Sequence, residues 1–258
     1  MAQQIHERKE RRGVVENKLF GKSIRTFAFI LIAVGAAIVA VTTIIALRDA
    51  LGGSASNYDQ YVEAMENALS KIGVPNLIFY AQAMLLVGFL LLVLAIGKSW
   101  FGKTLHIIVF IFLAAYLVFK PEHSILLLIG EGQAPDAIKN FALQNADTFN
   151  KFDNLIASYP KLMGGIVTAL YVIITTSVIG KKRPRRFSLG LINAGFGLVM
   201  FMVLVAGILL PILATHVELV KDVMAMNYYF IAVYGALVLS LILQLIGSVI
   251  GTIFFFLK

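Results

Sequence analysis

Apolar residues gather in six runs along this chain, at about residues 26–47, 77–97, 100–119, 161–180, 187–214 and 228–257, with polar segments between them. Each run is long enough, at ~1.5 Å per helical residue, to cross the ~30 Å hydrocarbon of a bilayer. Runs of this length mean membrane spans rather than the buried core of a soluble domain. The expected fold is therefore all-α: a polytopic helical bundle with six transmembrane helices behind a basic N-terminal arm, residues 1–25. The first run follows basic residues and precedes Gly52, Gly53, Ser54 and Ala55, the outline of a signal peptide. Its apolar part is about twice the usual 7–15 residues, which favours an uncleaved anchor. The fifth run is longer than one crossing needs, so a tilt, or a bend near Pro211, is expected.

Between the runs, three segments show helical periodicity and predict amphipathic helices. In the first, Ser56 or Asn57 is placed to cap a helix with Tyr58, Tyr61, Val62, Met65, Leu69 and Ile72 on one face. In the second, Ile138, Phe141, Phe149, Phe152, Ile156 and Tyr159 recur at helical spacing. The third is shorter: Thr215-x-x-Glu218 has the form of a capping box ahead of Leu219, Val220, Val223 and Met224. Gly-Lys pairs at Gly21, Gly97 and Gly180 each come shortly before the outward-going run of a hairpin. The three hairpin units are 76, 83 and 79 residues long, counted from each glycine to the next or to the last residue. Residue similarity between units is poor, so hairpin duplication stays a hypothesis.

Charge sets the orientation. The fourteen acidic and twenty-two basic residues lie outside the apolar cores of the runs. On one side of a six-span arrangement the segments hold fifteen Lys/Arg and three Asp/Glu; on the other they hold seven and eleven. Loops rich in Lys and Arg stay in the cytoplasm, which puts both termini inside and the three amphipathic helices outside. The net charge of +8 is mostly juxtamembrane, so orientation explains it and nucleic acid is not an expected partner. Trp100, Phe101, Tyr159, Phe187, Tyr228 and Tyr229 fall where an interfacial belt forms. A mean hydropathy of +0.87 and an absence of cysteine fit the plasma membrane of a bacterium or archaeon.

Apparent motifs carry little chemistry. Gly97 to Thr104 (GKSWFGKT) matches the phosphate-binding pattern G-x4-G-K-[ST]. A phosphate loop follows a strand and works with a magnesium-holding acid, whereas this string joins two apolar runs. The expected structure is a tight turn anchored by aromatics, with Lys98 and Lys103 reaching the interface. His6, His106, His123 and His216 are too dispersed for a metal site, and no nucleophile elbow is present. The Pro-x-[Asp/Glu]-x-x-[Lys/Arg] signature of the mitochondrial carriers, another three-hairpin architecture, is missing: Pro135-Asp136-Ala137-Ile138-Lys139 has the wrong spacing. No cofactor is implied, and an enzyme is not expected, because the spans offer no charged catalytic pair.

Uncharged polar residues in runs three to six form a candidate intramembrane layer: His106, Thr175, Thr176, Asn193 and Gln244. Such a layer either lines an inward-facing cavity or ties helices together by hydrogen bonds worth ~0.6–2 kcal/mol each. Equal depth on consecutive antiparallel runs pairs Asn193 with Gln244. Small residues mark candidate close contacts at Gly164, Gly165, Gly247 and Gly251. The expected function is a non-catalytic subunit or scaffold of a membrane complex, whose partners are membrane lipid and a second membrane protein or another copy of itself. The alternative is a permease or channel-like carrier for a neutral or amphiphilic solute.

Overall fold

The first apolar run is the C-terminal half of α1 (Ala2–Leu51), a single helix of 50 residues that carries the basic arm without a break. The computed structural model describes residues 2–53, 58–71, 76–97, 100–119, 135–147, 170–177 and 187–256. After α1 come α2 (Tyr58–Lys71), α3 (Leu77–Ile96), α4 (Trp100–Phe119), α5 (Asp136–Gln144) and α6 (170–177). The fifth run comprises α7 (Phe187–Phe201), a π-helical stretch (Met202–Leu209) and α8 (Leu210–Ala214). Then α9 (Glu218–Ala225) leads into α10 (Asn227–Phe256). Every regular element among the described residues is helical.

Among the described residues, three helices are long and apolar enough to cross a membrane: Lys22–Leu51, Leu77–Ile96 and Tyr228–Phe254. Trp100–Ala115 and Phe187–Phe201 are shorter apolar helices. The run 161–180 is described only over α6, so Gly164 and Gly165 lie outside the described residues, as do Ser56, Asn57, His123 and Tyr159. Apolar side chains also face outward, among them Val41 and Ile44 of α1, Ile108 and Ile111 of α4, and Ile246 and Val249 of α10. An outward apolar surface on helices of this length is what lipid contact requires, so the chain has the build of a membrane protein. Trp100, Phe101 and Phe187 are exposed at one end of the helices and Tyr228 at the other.

α1 is the central strut. It packs along α3 and α10, while α10 packs along α7 and α2 folds back against α1. Phe29, Ile32 and Val39 of α1 meet a core with Phe89 and Leu92 of α3, Ile192 and Phe196 of α7, and Phe230 and Leu237 of α10. Rings close two corners: Phe89 lies 4.6 Å from Phe196, and Tyr61 of α2 stacks on Phe230 at 5.0 Å. Without a hydrophobic drive between helix and lipid, close backbone approach supplies the packing energy, and glycine permits it. A methyl built on Gly35 would stand 2.7 Å from the Ala81 carbonyl oxygen, and one on Gly88 2.7 Å from Ile32. On the other hairpin, a methyl on Gly195 would stand 2.8 Å from the Ser240 carbonyl oxygen, and one on Gly247 2.6 Å from that of Ser188.

These contacts fall at matching places. Gly35 and Gly195 come fourteen and fifteen residues after Gly21 and Gly180, and Gly88 and Gly247 each come sixty-seven residues after them. The first and third hairpins therefore pack in the same antiparallel register. The middle one does not: His106 opposite Tyr171 and Thr175 sets its pairing about two turns further along.

One local expectation is corrected and another gains detail. Thr215 does not cap α9; Val217 is the residue before the helix and no side chain caps it. Thr215 keeps helical dihedrals and its hydroxyl donates to the Ile212 carbonyl at 2.6 Å, closing α8 instead. The irregularity in the fifth run begins well before Pro211. Over Met202–Leu209 the ladder widens until the Leu210 N–H reaches the Val205 carbonyl, five residues back. Proline cannot donate and crowds the carbonyl four residues behind it, so a widened register ahead of it relieves that clash.

Candidate functional site: buried polar groups between the helices

Polar atoms inside an apolar bundle are the chemistry this chain has to work with, because their burial costs free energy unless they are paired. α4 enters the bundle at Trp100 and turns His106, six residues on and ~9 Å deep, away from solvent completely. α6 presents Tyr171 and Thr175, one turn apart on the same face and both buried. The His106 ring stacks on the Tyr171 ring with centroids 4.9 Å apart, and His106 Nδ1 lies 3.4 Å from Thr175 Oγ1. Thr175 donates its one hydroxyl proton to the Tyr171 carbonyl at 2.7 Å. His106 Nε2 and the Tyr171 hydroxyl are buried with no hydrogen-bond partner among the described residues.

A second polar seam joins α7 to α10. Ser240 Oγ donates to the Gly195 carbonyl at 2.8 Å, and Gln244 Nε2 donates to Ser240 Oγ at 3.3 Å. Asn193 is not Gln244's partner. It sits two residues from Gly195, about 200° around α7, and its Oδ1 is buried and unpaired. Matching depth was satisfied, but the two residues face different neighbours. Thr176 is half-buried and its hydroxyl bonds within its own helix, at the Val172 and Ile173 carbonyls. The five-residue layer is thus two clusters: His106 with Thr175, and Gln244 with Ser240. Asn193 and Thr176 stand apart from both.

Gly247 and Gly251 face two different helices. Gly247 meets α7 at Ser188, whereas a methyl on Gly251 would stand 2.9 Å from the ring of Phe29 on α1. Gly102, Lys103 and Thr104 lie within the first turns of α4, and the Thr104 hydroxyl donates to the Trp100 carbonyl at 3.1 Å. The residues of the phosphate-loop string are therefore helical from Trp100 onward. Sequence reasoning missed Tyr171 and Ser240; each stands four residues before a polar residue it did select, Thr175 and Gln244, and that spacing was the available signal. Gln82 of α3, 1% exposed, has both amide atoms unpaired, and Ser248 Oγ is unpaired as well.

No protein-family description, curated protein or solved structure matches this chain. Function rests on the geometry alone.

Proposed function

We propose that this protein is a six-span, non-catalytic membrane subunit or scaffold, with both termini in the cytoplasm, that docks a partner or lipid on its outer helices. The observation carrying this reading is α9. It buries no residue, and Leu219 and Val223, one turn apart, are 72% and 46% exposed, with Glu218, Lys221 and Asp222 also in solvent. An amphipathic helix gains stability by covering its apolar stripe. α2 does this within the chain, seating Tyr61 and Ala68 in the core; α9 does not. On α7, Gly190, Ala194 and Gly197 form an outward stripe of small residues, and no atom of the described residues lies within 4 Å of a methyl built on either glycine. Such a stripe suits close approach by another helix.

The test is a Leu219→Gln/Val223→Gln variant and native mass measurement after gentle extraction. Wild-type protein should carry a stoichiometric partner or bound lipid. The variant should lose it with an unchanged unfolding midpoint, because neither residue supports the core. A bare wild-type protein that moves solute in liposomes would replace this reading with the permease. The unpaired polar atoms of Gln82, His106 and Tyr171 favour that second reading, since a solute path needs unsatisfied donors and acceptors inside the bundle.

A further inference from the structure

His106 and Tyr171 hold a hydrogen-bonding capacity that no group among the described residues uses. Thr175 has one hydroxyl proton, and the 2.7 Å bond to the Tyr171 carbonyl takes it. The contact between Thr175 Oγ1 and His106 Nδ1 at 3.4 Å then runs from the ring to the hydroxyl. A neutral ring so fixed carries its proton on Nδ1 and presents Nε2 as a bare acceptor. That nitrogen is buried without a partner, and so is the phenol stacked against the same ring. The runs supplying these residues contain no acidic side chain, so nothing there recognises a cation by charge. What is missing is a donor for Nε2 and a partner of either sense for the phenol.

We infer that the α4–α6 pair binds an uncharged hydroxyl group, which donates to His106 Nε2 and pairs with the Tyr171 phenol. Water and the free hydroxyl of a neutral lipid share this chemistry. A fully deprotonated anion has no proton to give Nε2, and a pure hydrocarbon leaves both groups unpaired. The site is independent of the docking face, because none of its residues lies on α9 or on the outward stripe of α7.

Tyr171→Phe tests it by sign. The change keeps the ring stack and removes only the phenol oxygen. With a hydroxyl bound, the variant loses a hydrogen bond, and its unfolding midpoint in mild detergent falls by about 2–4 °C. In a dry site the same change removes an unpaired polar group. The midpoint then holds or rises, and the inference is overturned. Nitrogen NMR of histidine-labelled wild-type protein, with the signal assigned through His106→Gln, supplies a readout that needs no altered fold. An Nε2 that accepts a hydrogen bond resonates upfield of a free lone pair. A free-lone-pair signal for His106, with and without added monoolein, also overturns the inference. A signal that moves only when monoolein is added assigns the hydroxyl to lipid. One already shifted in lipid-free detergent and unmoved by monoolein assigns it to water.

Discussion

Glycines in this bundle divide by what stands opposite them. At Gly247 a methyl would meet a backbone oxygen at 2.6 Å, and backbone cannot rotate away as a side-chain end can. Gly247→Ala should cost about 1–3 kcal/mol through overpacking. At Gly197 the space is open, and alanine should gain up to ~1 kcal/mol from helix propensity alone. Equilibrium unfolding in mixed micelles reads both, and equal effects would contradict the helix placement. Ser240→Ala removes the bond from α10 to the Gly195 carbonyl and should cost about 0.6–2 kcal/mol in the same assay. Sequence could select Gly247 and Gly251 as small residues one turn apart. It could not say that four residues, 400° of helix, leave them ~40° apart and facing two different neighbours. Depth is legible from counting residues along a span; direction around the axis is not, and that is why Asn193 and Gln244 were paired wrongly.

Helix boundaries were the most legible feature at the next scale, because they follow from where apolar residues stop. α3 begins at Leu77 after Asn76, and α4 runs Trp100–Phe119 ahead of Lys120-Pro121. Register between helices was hidden, since Gly88 in an unbroken apolar run looks like any tolerated glycine. Placed opposite Ile32, it shows that the first and third hairpins share one packing plan. That plan makes a prediction about pairs of elements. Gly35→Val and Gly195→Val occupy equivalent positions, against Ala81 and Leu85 in one hairpin and Ser240 and Gln244 in the other. Each should lower the unfolding midpoint by a similar amount, by several degrees at ~2–4 °C per kcal/mol for a protein of this size, while Gly190→Val changes it little. A large loss at one site and none at the other would mean that the matching offsets are coincidental. The π-helical stretch was illegible for a different reason: a proline announces that something upstream must yield, but not how far back the ladder will open.

At the scale of the whole molecule, the question is how many times the chain crosses. Three helices suffice by length and apolar content, α1, α3 and α10, and a molecule crossing with those alone would return to the cytoplasm after α3. The segments bearing α5 and α9 would then sit inside. Six crossings put those two segments outside, with fifteen Lys/Arg and three Asp/Glu on the inner side and seven and eleven on the outer. The two topologies therefore agree about Lys71, at the end of α2, and disagree about Gln144 and Asp222, all three of which are exposed. A chain without native cysteine lets single thiols report their side. Ser23, exposed at the start of the apolar span of α1, reports the side on which the basic arm lies. With an impermeant maleimide on intact cells, Lys71→Cys, Gln144→Cys and Asp222→Cys should label and Ser23→Cys should label only after lysis. Labelling of Lys71→Cys alone among the four would reduce the crossings to three and move α9 into the cytoplasm, where its exposed apolar stripe would have to be covered by a cytoplasmic partner.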